Sequence, residues 1–474
     1  MNIRLGLLRD TSLALVFHVA PRFANVIIFI IIGRLTGPDQ AGVFSLATTY
    51  LLIITTLMRG LDDLLIRQVA REPERAGSYF WNFLALRIVL ATLTYVALIS
   101  IIQNVPNYSA ATTAPIAILA LSVVPDSLAF VAQSVLLGSR RFGAPAVIQG
   151  GVNLLKMIVG IIVLWRGEGL MSVAWVWLCG SSLGMMALLA VTVKHVGGLH
   201  ATDWLDFSPL RLYWQAALSF SAITVLTALD SQTDTVLLSI FRGEAEVGWY
   251  NAATTVTSSL LMLVQAYRFA IYPLMTRHAQ NAPDKLMELF QKSIHYMGVV
   301  AIPMVTGIIL LAPQIVKAVF GSKFMMSAAP LVFLAVSLLF FFIGEPCNRL
   351  MLVNDRQRLL VAMLVVSASS NILINIVLIP AYGAVGSGLA RVCSAAIFFA
   401  LNYGYVTRKL FRQASLKSLA KPAVASIAMA LVVLLIRESS ILIEVTAGIV
   451  TYGLALWLVN GMFPDDPNRL THVV

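Results

Sequence analysis

Charge is scarce in this chain. Asp, Glu, Lys and Arg together make up 12% of 474 residues against 59% hydrophobic, too little polar surface to clothe a water-soluble globule of this size. Nowhere between the apolar runs is there a polar stretch long enough for a soluble catalytic domain. A G-x-x-x-x-G-K-[ST] loop is missing, so no ATP engine is visible. The three cysteines, Cys179, Cys347 and Cys393, are far apart and within apolar runs, which excludes a C-x-x-C site or disulfide framework and leaves small packing residues. His195, His200, His278 and His472 fall in polar segments and His295 near the end of an apolar run. None has a Cys or carboxylate at ligand spacing, so no zinc site is expected. The net charge of +11 would suggest nucleic acid in a soluble protein. In a chain this apolar the position of the charges matters more than their sum, and no nucleic-acid partner, metal, cofactor or enzymatic chemistry is expected.

What is present is about fourteen apolar runs, each of a length that crosses a bilayer core of roughly 30 Å. They lie at 11–33, 42–61, 80–102, 113–137, 144–165, 170–193, 212–241, 248–275, 294–320, 327–351, 360–379, 385–406, 419–436 and 440–461. Runs this long and without alternation mean helices, giving an all-α integral membrane protein. The leading M-N-I-R-L-G-L-L-R-D enters the first run without a small-residue cleavage site, so that span reads as retained. With the N-terminus in the cytoplasm, 23 Lys and Arg fall on the cytoplasmic side, six on the other and four within spans. That bias orients a multi-pass protein of the cytoplasmic (inner) membrane with both termini inside. Trp81, Trp165, Trp204, Trp214 and Trp249 fall at the proposed interfaces, where indole rings collect.

The chain also repeats itself. Gly37 to Thr49 reads G-P-D-Q-A-G-V-F-S-L-A-T-T, and Gly243 to Thr255 reads G-E-A-E-V-G-W-Y-N-A-A-T-T. Gly37 matches Gly243, Gly42 matches Gly248, and Ala47-Thr48-Thr49 matches Ala253-Thr254-Thr255, with Phe44 opposite Tyr250. A fainter echo pairs Gly138 and Arg140 with Asn354 and Arg356, and Gly167 and Ala174 with Gly383 and Ala390. Two related halves follow, each with a tight Gly-bearing turn between its first two helices. Residues 194–211, with Gly197-Gly198, read as the linker between them. Asn281 to Ser293 carries Leu286, Leu289 and Phe290 near helical spacing and reads as a short amphipathic surface helix.

Four cations lie within spans, where each costs about 2.5–3.5 kcal/mol near a helix centre, so such residues face a bundle interior or water. Arg22 shares a helical face with His18 and Asn25. It either lines a polar cavity or pairs with an acid. Arg87 either lines the same cavity or snorkels; Lys156 and Arg391 complete the set. Asp126 follows Pro125, where a kink frees backbone groups. Asp230 and Asp234 are four apart on the seventh span, as Asn371 and Asn375 are on the eleventh. Their oxygens suit a coupling ion, Na⁺ or H⁺, or alternatively an ion pair with Arg391 or Arg22. Glu345 and Arg349 read as a local i, i+4 pair, and Asp62-Asp63 as a loop acid pair.

R-L-T-G-P-D-Q-A-G-V-F-S-L-A (Arg34 to Ala47), G-L-D-D-L-L-I-R-Q-V-A-R (Gly60 to Arg71), V-F-G-S-K-F-M-M-S-A (Val319 to Ala328) and N-I-L-I-N-I-V-L-I-P-A-Y-G-A-V-G-S-G-L-A (Asn371 to Ala390) resemble segments of Wzx-type polysaccharide flippases. These belong to the multidrug/oligosaccharidyl-lipid/polysaccharide exporter superfamily. The resemblance runs from about residue 10 to 410. It implies two pseudo-symmetric six-helix lobes, here 1–193 and 212–407, with residues 408–474 forming two extra C-terminal helices and a tail. It implies a central cleft lined by spans one and seven, opening alternately to each side. It also implies a polyprenyl-diphosphate-linked oligosaccharide as substrate, membrane lipids and glycan polymerase or ligase machinery as partners, and a monomer. Under it, His18, Arg22, Asn25, Arg87, Lys156, Arg268 and Arg391 become candidate substrate-binding residues, since guanidinium and ammonium groups suit a diphosphate. Related flippases bind sodium through second-lobe oxygens that Asp234, Asn371 and Asn375 match. Arg391 departs from that pattern and stands where a cation would be, which argues against sodium. The alternatives are a multidrug exporter, which favours an acid-rich cavity; a lipid II flippase; and a membrane glycan polymerase or ligase, which needs a large outer loop.

Overall fold

The computed structural model describes residues 24–105, 108–196, 226–228, 230–412, 415–437 and 439–462. His18, Arg22, Trp204, Trp214 and most of the 194–211 linker lie outside the described residues. Those described are helical, with no strand among them. Helices α1 (Ala24–Thr36), α2 (Pro38–Arg71), α3 (Ala76–Gln103), α4 (Ala110–Leu121), α5 (Val123–Gly138), α6 (Gly143–Trp165), α7 (Gly169–Val196) and α8 (230–242) are followed by α9 (Glu244–Asn281), α10 (Pro283–Phe320), α11 (Ala328–Val353), α12 (Gln357–Tyr405), α13 (Ala420–Leu435) and α14 (Ile441–Leu458).

Among the described residues ten segments are long and apolar enough to cross a membrane. One of them, Gln357–Leu410, contains both the eleventh and twelfth expected spans. The first and seventh expected spans lie partly outside the described residues, and the eighth is the 38-residue α9, which is not among the ten. Large apolar side chains point outward along these helices: Val89, Leu93 and Val96 of α3, at i, i+4 and i+7, are all more than half exposed, and so are Leu442, Ile449 and Leu454 of α14. That is the pattern of helices solvated by lipid chains rather than by water.

The chain forms two compact units, Met1–Gly248 and Trp249–Val474. The first unit therefore extends past the expected linker and takes in α8. In it, α2 packs on α4 and α5, α3 on α5, and α7 on α4, α5 and α6. Leu64, Leu65 and Val69 of α2, Phe80 and Phe83 of α3, Val131 and Leu136 of α5 and Leu188 of α7 share one buried cluster. The fourth expected span breaks into α4 and α5 at Ser122, just ahead of Pro125, whose missing N–H cannot continue the ladder.

In the second unit α11 packs on α10 and α12, while the hairpin of α13 and α14 leans on α10. His295 ties that hairpin down: Nδ1 lies 3.1 Å from the Ser418 carbonyl oxygen and Nε2 3.0 Å from that of Gly461. Tyr452 donates to the Val299 carbonyl at 2.7 Å. Helix α12 bends at Gly383, where φ is 55° and ψ −133°.

The structure changes three readings. Residues 283–293 are not a separate surface helix but the first turns of the continuous α10. Leu286 and Phe290 are buried against Met275, Cys347 and Val406 rather than laid on a membrane. Asp62 and Asp63 are not in a loop, because α2 continues to Arg71. The fainter echo is shifted by one residue. Arg140 and Asp355 both have positive φ, and the Arg141 N–H bonds the Leu136 carbonyl just as that of Arg356 bonds Met351. These are two copies of one helix stop.

Candidate functional site

The strongest part of the repeat forms a crossing of the two copies. Gly37 (φ 99°) and Gly243 (φ 89°) both take left-handed backbone, turning the chain into α2 and α9. The following turns then meet. A Cβ placed on Gly42 would lie 1.9 Å from the Glu244 carbonyl oxygen, and one on Gly248 would lie 2.1 Å from that of Pro38. Pro38 and Glu244 are themselves matched positions, so the contact is reciprocal. Only glycine allows backbones this close.

Polar side chains bracket the crossing. Thr112 donates to Glu244 Oε1 at 2.5 Å and Thr49 to Gln232 Oε1 at 2.9 Å. Tyr108 is shared: its hydroxyl lies 3.0 Å from that of Tyr50 on α2 and 2.7 Å from that of Ser239 on α8. Sequence reading missed Gln232, Tyr108, Thr112 and Glu244, since their partners are far along the chain.

The cations have unequal surroundings. Arg87 is 1% exposed and pairs with Asp62 across α2 and α3, while Nη2 also donates to the Met58 carbonyl at 2.9 Å. It does not snorkel, and its charge is matched within the bundle. Lys156 is also buried, but its Nζ rests on the Ser181 hydroxyl at 2.7 Å and 5.8 Å from the Trp177 ring centroid. Gly180 leaves room for the lysine stem, since a Cβ there would meet Lys156 Cγ at 2.6 Å. Hydroxyl and ring face stabilise the ammonium at contact, and Asp126 is the acid that acts on it electrostatically. Asn25 is exposed on α1, Asp230 is half-buried on α8, and Asp234 on the same helix is buried.

In the second unit Asn371, Asn375 and Arg391 are buried together with Ser367 and Ser394. Asn375 Nδ2 donates to the Asn371 carbonyl at 2.9 Å and to its Oδ1 at 3.1 Å; Asn371 Nδ2 reaches Ser394 Oγ at 3.4 Å. Arg268 grips buried Glu345 with two bonds, Nε to Oε1 at 2.6 Å and Nη2 to Oε2 at 2.9 Å. The expected Glu345–Arg349 pair is present at 2.7 Å, with Arg268 as a third member. Among the described residues no group of His, Cys, Asp and Glu converges as a metal site, and the three cysteines are free.

The chain is similar to known membrane transporters over most of its length. It is 24% identical over 401 residues to a probable low-salt glycan biosynthesis flippase, Agl15, of Haloferax volcanii, covering 83% of this chain and 82% of that one. Its fold matches that of the lipid II flippase MurJ in an inward closed conformation, with a TM-score of 0.70 at 16% identity over 94% of this chain and 98% of that one. It also matches an inward-facing multidrug resistance transporter of the MATE family and MOP superfamily, with a TM-score of 0.66 at 15% identity over 85% of this chain and 100% of that one. Residues 31–329, which hold the crossing, Arg87, Lys156, Asp230, Asp234 and Arg268, match a single family model, described as polysaccharide biosynthesis protein. This chain belongs to that family.

Proposed function

We propose that the protein is a flippase of the inner membrane, carrying a polyprenyl-diphosphate-linked oligosaccharide from the cytoplasmic to the outer leaflet by alternating access. It crosses the membrane fourteen times with both termini inside, as two six-helix lobes and a C-terminal helix pair. It works as a monomer alongside glycan polymerase or ligase machinery. Kinship with a glycan biosynthesis flippase supports the substrate class.

The observation that carries the mechanism is the reciprocal crossing of Gly42 and Gly248. By the distribution of Lys and Arg, these turns lie at the outer ends of their helices. The crossing then joins the first turns of α2 and α9 at that outer side. Lys156, Arg391 and Arg22 bind the diphosphate, with His18 and Asn25 at helical spacing from Arg22 in the sequence. Asp230, Asp234, Asn371 and Asn375 take the coupling ion, a proton in preference to Na⁺ because Arg391 is a fixed positive charge buried in the second unit as Asn371 and Asn375 are. The lipid tail stays in the bilayer while the head crosses.

Transport in proteoliposomes loaded with polyprenyl-diphosphate oligosaccharide tests this, with wild type set against Arg22→Ala under Na⁺ and pH gradients. Gradient-driven movement that needs Arg22 is expected. Gradient-driven efflux of a cationic drug with no movement of that lipid would instead make the protein a drug exporter.

A further inference from the structure

The Arg268–Glu345–Arg349 cluster holds more positive charge than packing alone requires. Glu345 is 1% exposed, and Arg268 alone satisfies it in a two-bond grip. Arg349 adds a second guanidinium 2.7 Å from Oε1, and Asn348 donates to Oε2 at 3.3 Å. The carboxylate is thus saturated while the trio keeps a net charge of +1. A structural ion pair needs one cation; the second leaves a positive charge that another anion can complete. Arg268 is 37% exposed and Arg349 21%, so both reach solvent while the acid beneath them does not. Arg349 Nε is buried without a hydrogen-bond partner although it lies in ion-pair range of Glu345, and the guanidinium lies 5.9 Å from the ring centroid of half-exposed Tyr272.

The setting is rigid from below and apolar at the side. Ile271, Met275, Ile343, Cys347 and Leu350 pack under the cluster. Pro273 in α9 and Pro346 in α11 interrupt the backbone ladder close to the two arginines. Phe269, next to Arg268, is 80% exposed. Paired guanidinium edges beside the half-exposed ring of Tyr272 are chemistry for an anionic head on a hydrocarbon tail.

We propose that Arg268 and Arg349 form a diphosphate-binding site, the loading site at the cytoplasmic end of the second unit, and that Glu345 is its positioning residue. This rests on the flippase reading and on the orientation given by Lys and Arg. It adds Arg349 and Glu345 to the substrate's path and assigns them separate roles. Arg349 supplies donors, whereas Glu345 orients both forks and never touches the ligand.

The test is binding of farnesyl diphosphate, farnesyl monophosphate and inorganic pyrophosphate to the full-length protein in nanodiscs, read beside its melting temperature and its transport of the oligosaccharide lipid. Arg349→Ala is expected to weaken farnesyl diphosphate binding by about tenfold or more, and Arg349→Lys to recover only part of it. Glu345→Gln is diagnostic because it raises the local charge to +2. If charge alone governs the site, binding tightens. If Glu345 positions the arginines, binding weakens and the preference for diphosphate over monophosphate shrinks. Arg358→Ala, an exposed arginine of α12, should change nothing. Pyrophosphate binding as well as the lipid would identify a site for free anions rather than one for a lipid head, and overturn the loading role. Unchanged binding in Arg349→Ala at an unchanged melting temperature, while wild type still flips the lipid, would remove this site and leave the flippase reading intact. A wild type that neither binds nor moves the lipid would remove both.

Discussion

Gly42 and Gly248, matched residues of the two repeat copies, each press on the backbone of the other copy. A Cβ would fall 1.9 Å from the Glu244 oxygen in one case and 2.1 Å from the Pro38 oxygen in the other. No real Cβ sits so close to a carbonyl oxygen, and the blocking atoms are backbone, which cannot swing aside. Gly42→Ala or Gly248→Ala must therefore push the copies apart. With Cys179, Cys347 and Cys393 replaced, Thr49→Cys should react with a membrane-impermeant maleimide several-fold faster when either alanine is present, and transport should fall. Gly150→Ala is the control: nothing lies within 4 Å of that position, and an alanine in mid-helix should be neutral or stabilise by up to about 1 kcal/mol.

Tyr108 links Tyr50 of α2 to Ser239 of α8 through one hydroxyl, so Tyr108→Phe removes two hydrogen bonds without removing the ring. A loss of about 1–2 kcal/mol from the closed crossing is expected, seen as faster labelling at Thr49→Cys with little change in melting temperature. Burial is the main cause that pushes the Tyr108 hydroxyl above its ordinary pKa, outweighing the bonds from Ser239 and Tyr50 that lower it. A raised pKa means that the stabilisation is complete below the unfolded value of about 10 and is lost only as pH climbs through the folded value. The ratio of labelling rates at Thr49→Cys with and without Tyr108→Phe should therefore stay flat from pH 6 to 9, the thiolate's own pH dependence cancelling. A fall in that ratio towards one within that window would contradict the assignment.

These residues also mark what can be read without a structure. The pairing of Gly42 with Gly248 is plain in the aligned repeat, but its reason is not. A turn glycine explains Gly37 and Gly243, which have positive φ; Gly42 and Gly248 are helical and owe their identity to a contact far along the chain. Asp62 was misplaced for a related reason. Hydropathy falls after residue 61, so the expected span ends there, yet the helix continues to Arg71 beyond its apolar part. Local patterns carried the Glu345–Arg349 pair because both residues are on one helix. Arg268 is on another, and periodicity along one helix cannot show it.

Arg87 and Asp62 are a buried pair whose members should be costly alone and cheap together. Arg87→Met strands a carboxylate inside the first unit, and Asp62→Asn strands a guanidinium. Each should destabilise by about 3–5 kcal/mol. The double variant should recover most of that, because neither charge is then left without its partner. Thermal unfolding in detergent across the four proteins measures the coupling. Simple additivity would mean that the pair contributes nothing as a pair.

Lys156 predicts the opposite split between stability and transport. Its ammonium contacts a hydroxyl and a ring, and Asp126 is the acid that acts on it electrostatically, so Lys156→Met removes a desolvated charge while leaving Ser181 short of one partner and Asp126 without that cation. Melting temperature should hold or rise, because a methionine fills the groove beside Gly180. Transport of the diphosphate lipid should nonetheless drop by about tenfold or more if the ammonium meets the substrate. Ser181→Ala should have a milder effect, through the position of the ammonium alone. A large fall in melting temperature with Lys156→Met would show that the lysine holds α6 to α7 and is no part of the substrate's path. Equal transport at equal stability would exclude both roles.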